Sequence, residues 1–248
     1  MSDKESATRL EQARRVREMF ATIASRYDLL NHLLSGNIDK RWRRLVAKKL
    51  FAALPPAPFI RGEARILDVA CGTGDLSLTL FDSGEARIVG IDFCRPMLDI
   101  AASKAARSGF SLPFVEGDAL NLPFRDRSFE AATIAFGLRN LTSVDVGFKE
   151  LLRVLKPGGK VAVLEFSKPK TPLLRSLFRV YFTKLLPLFG GLVSGSRSAY
   201  EYLPDSVSRF PDQEELAVMM QEAGFAEVSY QNLTGGIAAL HLGTRPHG

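Results

Sequence analysis

The sequence predicts an α/β fold built on a doubly wound, mostly parallel sheet of seven strands. The first indication is the stretch 65–78, where a short apolar run is followed by a glycine turn and then by a helical pattern. The run 66–70 has the length and the branched side chains of a buried parallel strand, and Gly72 and Gly74 allow a tight turn after it. The second indication is that apolar runs and helical patterns alternate up to residue 166. Such alternation is typical of a parallel sheet covered by helices.

The N-terminal part of the chain is predicted to be helical. The chain has 248 residues, of which 46% are hydrophobic, which is enough for one domain with a sizeable core and an appendage. Three helices are predicted ahead of the sheet, at 10–27, 28–34 and 39–50. Prolines at 55, 56 and 58 mark a linker. We therefore predict an N-terminal helical segment over 1–58 and a main domain over 59–248.

The glycine turn after the first strand is where a small molecule is expected to bind. A dinucleotide fingerprint would have a third glycine at position 77, where a serine stands, so the pattern is incomplete for NAD. Asp75 lies in the first helical turn, where a carboxylate favours a cation over a phosphate. S-adenosylmethionine carries a sulfonium and an amino group and has no phosphate, so it fits this loop better. The alternative is that Asp75 only caps the helix.

Two further acidic residues follow predicted strands. Asp92 ends the second strand, 87–91, and lies 18 residues past Gly74. An acidic residue at this position is expected to hold the hydroxyls of a ribose. The third strand, near 113–116, leads to Asp118, which would lie over the adenine and accept a hydrogen bond from its amino group. Both residues therefore indicate a nucleoside-containing ligand.

The remaining elements complete the predicted sheet. A fourth strand over 130–136 leads into the run 137–140, at the edge where ligands of open α/β sheets bind. The other predicted elements are a helix at 144–155, a fifth strand at 161–166, a helix from about 213 to 223, and strands at 227–233 and 238–244. The last two strands are expected to form an antiparallel pair.

Residues 167–200 are predicted to form a basic, apolar insertion after the fifth strand. Six basic residues and no acidic residue lie between positions 167 and 197, among leucines and aromatic residues. Two interpretations are open for this segment. It is either a helix that packs its apolar face on the domain, or a lipid-facing surface with a pocket for a lipid tail.

Composition limits the remaining function classes. The formal charge of +6 suggests an anionic partner, nucleic acid or membrane, although an evenly solvated basic face is the commoner cause. The start of the chain has no signal-peptide pattern and no apolar stretch reaches the length of a membrane span, so a cytoplasmic location is expected. Cys71 and Cys94 are expected to be buried or ligand-adjacent thiols without a disulfide. His32, His241 and His247 complete no metal-ligand pattern, so no metal is expected.

Taken together, the motifs resemble those of a known enzyme class. The glycine loop, the acidic strand ends and the run 151–159 resemble the class I S-adenosylmethionine-dependent methyltransferases in order and spacing. The runs 20–28, 135–140 and 202–211 narrow the resemblance to the quinone-biosynthesis C-methyltransferases, over about residues 12–246. That family methylates the ring of demethylmenaquinone and, in some members, the methoxy-polyprenyl-benzoquinol precursor of ubiquinone. The resemblance implies S-adenosylmethionine as methyl donor and a polyprenyl hydroquinone as acceptor.

The resemblance also implies a set of site residues. On the donor side these are Asp68, Gly72, Thr73, Gly74, Asp92, Asp118 and Ala119. On the acceptor side they are Tyr27, Arg139 and Asn140, which would place the N-terminal helices over the site as a lid. The chain departs from the glycine pattern of the class at Ala70, which costs little if that residue keeps a negative φ.

The implied chemistry starts from a ring carbon that is a poor nucleophile. The quinone must therefore enter in its reduced form, in which a deprotonated hydroxyl pushes electron density onto the adjacent carbon. Arg139 suits stabilisation of that phenolate or positioning of a water, since a guanidinium is not a base, and Asn140 would orient the ring. The general base is left open among His241, Tyr27 and Asp28. Alternatives are that Tyr27 only anchors a helix and that Arg139 only pairs with a carboxylate such as Asp28.

A polyprenyl substrate resides in the bilayer, which favours the lipid interpretation of the insertion. We therefore expect peripheral attachment to the inner face of the membrane. A rival function is RNA methylation, but base-amine methyltransferases usually carry an Asn/Asp-Pro-Pro-aromatic run where this chain has 136–140, so no nucleic-acid partner is expected. A second rival is a non-catalytic quinone or lipid carrier. The sequence does not decide between naphthoquinol and benzoquinol as acceptor, and it does not give the length of the prenyl tail. The oligomeric state is also left open, and a homodimer is one alternative.

Overall fold

The computed structural model describes residues 3–54, 64–84, 86–180 and 197–247. Its strands are β1 Arg65–Val69, β2 Arg87–Asp92, β3 Phe114–Glu116, β4 Phe129–Ala135, β5 Leu155–Phe166, β6 Ala226–Leu233 and β7 Ala238–Thr244. They form one sheet in the order β3-β2-β1-β4-β5-β7-β6. Neighbouring strands from β3 through to β5 are parallel, whereas β7 is antiparallel to both β5 and β6. The predicted doubly wound, mostly parallel sheet is confirmed, including its final antiparallel pair.

Helices connect these strands. They are α1 Asp3–Ser35, α2 Ile38–Ala53, α3 Asp75–Ser83, α4 Arg95–Arg107, α5 Val144–Val154, α6 Pro172–Val180, α7 Arg197–Arg209 and α8 Gln213–Glu222. The predicted start of α8 is confirmed by a capping box, in which Asp212 accepts from the backbone nitrogen of Glu215 and Glu215 accepts from that of Asp212. Such a box satisfies two of the helix's free N–H groups and fixes where it begins.

The N-terminal segment differs from the prediction, because helices 10–27 and 28–34 are one continuous helix, α1. No glycine or proline interrupts the chain between the two predicted helices. The break comes only at Gly36 and Asn37, both of which have a positive φ. Residues 3–54 therefore form two helices rather than the predicted three. The predicted proline linker and the boundary between 58 and 59 lie outside the described residues.

β5 also begins earlier than predicted, at Leu155 instead of 161. Phe129 of β4 faces Leu155, but Ala131 faces Lys160, so residues 156–159 bulge out of the ladder. Gly158 has a φ of +75° in this bulge, a conformation that glycine adopts without steric cost. The Lys-Pro-Gly-Gly run is thus a bulge within the strand, and not a turn ahead of it.

Two apolar layers cover the two faces of the sheet. Ile66 packs with Val46 of α2 and Leu80 of α3, whereas the next residue, Leu67, packs with Leu151 of α5 on the other face. This follows from the alternation of side chains along a strand. Val46 is fully buried, and such a side chain contributes roughly 1.5 to 3 kcal/mol through burial. α2 therefore belongs to the same core as the sheet.

Candidate active site

A cavity of about 450 Å³ opens at the carboxyl ends of β1, β2, β3 and β4. This edge lies where the strand order reverses between β1 and β4, which is where open α/β sheets bind ligands. The predicted site residues that line the cavity are Tyr27, Asp68, Gly72, Thr73, Asp92, Asp118, Ala119 and Asn140. Gly74 and Arg139 are not among its lining residues. Eight of the ten predicted site residues therefore line the cavity, and the other two do not.

The glycine loop turns sharply between β1 and α3. Gly72 has a φ of +54° and Gly74, at the N-terminus of α3, has a φ of +80°. A Cβ atom at Gly74 would lie 3.0 Å from the Cβ of Ala101, so this glycine lets α4 approach the loop closely. Gly74 thus shapes the site through packing and not through contact with the cavity.

Ala70 contradicts one expectation, because its φ is +51° and not negative. The loop needs a left-handed residue here, and an alanine in that conformation is strained. Its methyl group fits because the facing residue is Gly137, where an added Cβ would lie 2.5 Å from that of Ala70. Gly137, which follows the neighbouring strand β4, therefore leaves space for the alanine that stands in place of the motif glycine.

Asp92 clamps the glycine loop from the end of β2. Its Oδ2 accepts a hydrogen bond from the backbone nitrogen of Gly72 at 2.8 Å, and its Oδ1 accepts one from that of Cys94 at 2.9 Å. A carboxylate has four lone-pair positions, so capacity remains for hydroxyl donors from the cavity. Burial raises the pKa of Asp92 to about 6, against which the backbone hydrogen bonds act. The position fits the predicted ribose contact.

Asp68 accepts two hydrogen bonds from side chains of the protein. Its Oδ2 accepts from the hydroxyl of Ser77 at 2.6 Å and its Oδ1 from that of Thr133 at 2.8 Å. Burial raises its pKa to about 6, and the two hydroxyls oppose that rise. Ser77 occupies the position where a dinucleotide fingerprint would have a glycine. Its hydroxyl therefore explains this departure, since it holds the acidic residue of β1 in place.

Asp118 follows β3 and lines the cavity. It is exposed, and its Oδ1 accepts a hydrogen bond from the backbone nitrogen of Leu120 at 2.9 Å. Ala119 and Leu120 also line the cavity beside it. An exposed carboxylate above apolar side chains is a suitable partner for the amino edge of a flat base.

α1 forms one side of the cavity and is tied to the sheet edge at two points. Asp28 accepts a hydrogen bond from the hydroxyl of Thr73, and its Oδ2 lies 2.8 Å from Nζ of Lys104. The middle of the helix is held where Arg17 pairs with Glu116. The residues of α1 that line the cavity are Ala13, Arg14, Arg17, Phe20 and Tyr27. The ring of Tyr27 packs edge to face on that of Phe20, with centroids 5.9 Å apart.

The carboxylate of Asp75 pairs with a cation of the protein, Lys104, and its preference for a cationic ligand stays a prediction. Nη1 of Arg43 lies 3.7 Å and Nε2 of His32 lies 3.6 Å from the same carboxylate. His32, Asp39 and Asp75 bring metal-ligating atoms within 4.8 Å of one another, a grouping that motif spacing did not reveal. Because Arg43 and Lys104 already contact the two carboxylates, protein cations balance this cluster.

Arg139 points away from the cavity, into a buried ion pair. Its Nη1 lies 2.7 Å from Oε1 of Glu165 at the end of β5 and also donates to the carbonyl of Phe136 at 2.6 Å. The expected alternative partner, Asp28, contacts Thr73 and Lys104 instead. Asn140 does line the cavity, and its Oδ1 accepts from the hydroxyl of Tyr202 at 3.0 Å. Sequence reasoning missed Glu165 and Tyr202, because neither lies near Arg139 or Asn140 in the chain.

His241, one candidate base, lies within β7 and does not line the cavity. It is buried, and its Nε2 lies 2.8 Å from the carbonyl oxygen of Gln213. Burial lowers its pKa, which this hydrogen bond opposes. Cys71 and Cys94 are both free. Of the three candidate bases only Tyr27 lines the cavity.

The sheet, its strand order and the acidic clamp on a glycine loop together define a class I S-adenosylmethionine-dependent methyltransferase. Solved structures share this fold. An S-adenosylmethionine-dependent methyltransferase from Thermotoga maritima is similar with a TM-score of 0.61 and 22% identity, over 92% of this chain and 99% of that one. Phosphoethanolamine N-methyltransferase 2 of Haemonchus contortus, in complex with S-adenosyl-L-methionine, is similar with a TM-score of 0.60 and 14% identity, over 81% of this chain and 52% of that one.

Sequence similarity narrows the class to one family. The model of the ubiE/COQ5 methyltransferase family matches residues 7–245, and the chain belongs to this family. The demethylmenaquinone methyltransferase of Thermus thermophilus is 51% identical over 92% of this chain and all of that protein. The ubiquinone/menaquinone biosynthesis C-methyltransferase UbiE of Pseudomonas paraeruginosa is 44% identical over 95% of this chain and 91% of that protein. The family resemblance predicted from the motifs is confirmed.

Proposed function

We propose that this chain transfers a methyl group from S-adenosylmethionine to a ring carbon of a reduced polyprenyl quinone precursor, with demethylmenaquinol as its principal acceptor. One observation carries the proposal. One cavity is lined both by the carboxylates of Asp92 and Asp118 and by the rings of Tyr27 and Phe136, and Asn140 lies beside Phe136. The carboxylates suit an adenosine, and the aromatic and amide groups suit a flat ring with hydroxyl groups.

The carboxylates of Asp92 and Asp118 match the chemical groups of S-adenosylmethionine. The acceptor capacity left on Asp92 suits two ribose hydroxyls, and the carboxylate of Asp118 suits the amino group of adenine. Neither residue favours a phosphate, which S-adenosylmethionine lacks. When bound, the donor supplies a methyl group on a positively charged sulfur. The chain supplies the walls that hold ring and donor together, and holding two reactants in line is a large part of such a rate enhancement.

The part of the cavity lined by Phe136 and Asn140 would hold the acceptor ring, exclude water and donate a hydrogen bond to the ring. α1 lines one side of the cavity and limits access of water, which strengthens electrostatic interactions within the cavity. The amide of Asn140 can donate to an oxygen of the ring as negative charge develops there. Tyr27 also lines the cavity and is the one of the three candidate bases that could contact a ligand there directly. The transfer requires the reduced quinone, because only the hydroquinone makes its ring carbon nucleophilic.

Arg139 has a more indirect role in this proposal than the sequence suggested. Its guanidinium would reach the acceptor only if it left Glu165, and that carboxylate is 1% exposed. We therefore assign Arg139 to the turn that carries Asn140, where it binds the carbonyl of Phe136. Direct stabilisation of the phenolate stays a prediction, and the variants described in the Discussion distinguish the two roles.

The relatives favour naphthoquinol over benzoquinol as acceptor. The proteins from Thermus thermophilus and Deinococcus radiodurans, at 51% and 46% identity, are demethylmenaquinone methyltransferases by name. The Pseudomonas paraeruginosa protein, named for both ubiquinone and menaquinone biosynthesis, is 44% identical. The benzoquinol precursor of ubiquinone is therefore the second candidate acceptor, and it belongs in the same assay.

Attachment to an anionic membrane surface at the inner face is also part of the proposal. Within the described residues, no helix is both long and apolar enough to cross a bilayer. Lys168, Lys170, Arg175 and Phe178 line a second cavity of about 570 Å³ beside α6 and α7. Asp212 also lines it, and Lys170 pairs with Glu214, so Lys168 and Arg175 are the lining cations with no carboxylate paired to them in the described residues. Basic and apolar side chains in one place suit an anionic lipid surface or the start of a prenyl tail.

One assay tests the reaction. Purified protein is incubated with methyl-deuterated S-adenosylmethionine and, separately, with demethylmenaquinol, the methoxy-polyprenyl-benzoquinol, their oxidised quinones and bulk RNA, and products are read by mass spectrometry. A labelled methyl group on the naphthoquinol ring, with none on the oxidised form, is expected. Labelled RNA together with unmodified quinols would overturn the proposal. Donor binding without methylation of any substrate would favour the non-catalytic carrier.

A further inference from the structure

The amide of Asn140 is held between two partners, and their chemistry fixes which way it faces. Nδ2 of Asn140 lies 3.4 Å from the carbonyl oxygen of Phe136, and Oδ1 lies 3.0 Å from the hydroxyl of Tyr202. A carbonyl can only accept, so the amide nitrogen must be on that side. The hydroxyl of Tyr202 therefore donates to Oδ1.

This arrangement decides what Asn140 offers to the cavity. An amide nitrogen carries two hydrogens, and the carbonyl of Phe136 takes one of them. The second hydrogen remains for an oxygen in the cavity that Asn140 lines. Without the hydroxyl of Tyr202, the amide would lose the partner that holds its oxygen end, and rotation could present an acceptor to the substrate instead.

Tyr202 is suited to this task by its surroundings. It lies on α7, which packs against both α1 and the turn Leu138–Asn140. Burial raises the pKa of its phenol, and the positive charge of Arg139 opposes that rise more weakly. The phenol therefore stays protonated, and able to donate, at neutral and moderately alkaline pH.

We propose that Tyr202 is a positioning residue that holds the Asn140 amide with an N–H toward the ring oxygen of the acceptor. This inference rests on the proposed quinol methylation. It also gives a role to the run 202–211, which resembled the family but had no assigned chemistry. Because charge develops on the ring oxygen during transfer, correct orientation should matter more for turnover than for binding.

The test begins with Tyr202→Phe, which removes only the hydroxyl. Tyr230→Phe is the matched control, since the hydroxyl of Tyr230 donates to Glu214 on the surface. Turnover of demethylmenaquinol by Tyr202→Phe should fall about three- to tenfold, the size expected for one lost hydrogen bond. The KM for the quinol, the affinity for S-adenosylmethionine and the Tm should stay near parent values. A rate for Tyr202→Phe equal to that of Tyr230→Phe would overturn the role.

A double-mutant cycle separates positioning from simple packing. If Tyr202 acts through Asn140, then Tyr202→Phe should slow the parent but cause no further loss in an Asn140→Ala background. Equal losses in both backgrounds would overturn the inference. Asn140→Asp gives a second measurement that leaves Tyr202 intact. Its carboxylate still accepts from Tyr202 but has no N–H, so turnover should fall as far as in Asn140→Ala, and a parent-like rate would contradict the proposal.

The activity of the parent enzyme shows whether a negative result concerns quinol methylation itself or only the positioning role of Tyr202. A parent that binds donor but methylates neither quinol would overturn the proposed function itself. An active parent with an equally active Tyr202→Phe variant would overturn only the positioning role.

Discussion

Arg139 and Glu165 form a buried ion pair across the carboxyl ends of β4 and β5. Their side chains are 6% and 1% exposed, and Nη1 of Arg139 lies 2.7 Å from Oε1 of Glu165. The same Oε1 accepts from the backbone nitrogen of Phe166, and Oε2 lies 3.3 Å from that of Arg139. The pair therefore joins two strand ends directly behind the residues that face the acceptor.

Removing the arginine alone should destabilise the fold. Arg139→Ala leaves Glu165 buried without its cation, and breaking a buried pair in this way costs about 3 to 5 kcal/mol of unfolding free energy. Arg95→Ala is the matched control, because the Arg95–Asp99 pair is exposed and should contribute below about 1 kcal/mol. Urea denaturation measures both variants. Equal losses in the two would show that the buried pair contributes no more than a surface one.

Replacing both partners separates stability from catalysis. An Arg139→Met, Glu165→Leu double variant removes the buried charges together and should fold with a stability near that of the parent. If Arg139 stabilises the phenolate directly, turnover in this folded variant should fall by roughly a hundred- to a thousandfold, as for a lost oxyanion donor. If Arg139 acts only by holding the turn, the loss should be well below tenfold. Steady-state kinetics with demethylmenaquinol decides between these roles.

Asp92 should dominate affinity for the donor. Asp92→Ala removes both the clamp on Gly72 and the acceptor for the ribose, so binding of S-adenosylmethionine should weaken at least tenfold, or about 1.4 kcal/mol. The control is Asp99→Ala, which removes an exposed carboxylate on α4. Isothermal calorimetry on both variants measures the effect. Unchanged affinity in folded Asp92→Ala would remove Asp92 from the donor site.

Donor binding should also depend on pH through the same residue. Burial raises the pKa of Asp92 to about 6, and only its ionised form can accept from two hydroxyls with full strength. Affinity for S-adenosylmethionine should therefore be flat above pH 7 and fall below pH 6, toward tenfold per pH unit. Asp92→Asn should show no such fall. Calorimetry from pH 5 to 8 tests this, and a fall that persists in Asp92→Asn would assign the titration to another group.

The raised pKa of Asp92, together with that of Asp68, affects the stability of the fold in the opposite direction to donor affinity: stability decreases as pH rises. Asp68 and Asp92 both bind protons more tightly in the folded chain, with pKa values of about 6, than at their ordinary value of 3.8. Between about pH 4 and 6 the folded state therefore carries more protons, and the contribution of these two groups to stability decreases as pH rises through that window. Asp68→Asn with Asp92→Asn should flatten this part of the pH–stability curve. An unchanged curve would show that other groups control it.

Local patterns in the sequence predicted the parts of the site that lie on one stretch of chain. The strand, the glycine loop and the helix over 65–83 follow from short-range preferences, and Asp92 follows from strand order. The direction of Arg139 could not be predicted, because it depends on Glu165, which reaches it only through the pairing of β4 with β5. The space for the methyl group of Ala70 likewise depends on Gly137. Long-range partners of this kind leave no periodic signal in the chain.

Membrane attachment should depend on the basic insertion. Changing Arg175, Arg179 and Lys184 together to Glu should abolish sedimentation with anionic liposomes while leaving donor affinity intact. Arg175 is exposed, whereas the side chain of Arg179 and all of Lys184 lie outside the described residues. Changing three exposed arginines elsewhere, Arg95, Arg107 and Arg125, to Glu makes the same change in charge and should leave sedimentation unaffected. Equal loss in both triple variants would indicate a general charge effect and no specific surface.

Positions 70 and 137 should have room for only one methyl group between them, which Ala70 supplies in the parent. The backbone of Gly137, with φ of −109° and ψ of −27°, accepts any residue, so Gly137→Ala introduces only the contact with the Ala70 methyl. Such overpacking costs about 1 to 3 kcal/mol, and it should also weaken donor binding because the clash falls on the glycine loop.

Adding Ala70→Gly should reverse both effects, because it removes the opposing methyl and places a glycine where φ is +51°. Urea denaturation of the parent, both single variants and the double variant gives the coupling free energy, which should exceed about 1 kcal/mol in favour of the double variant. Gly109→Ala is the control. Its φ is +74° and nothing lies within 4 Å of the added Cβ, so it is strained without a clash and Ala70→Gly should not rescue it. Additive losses for positions 70 and 137 would show that the two strand ends move apart freely, and that Gly137 is not what allows alanine at position 70.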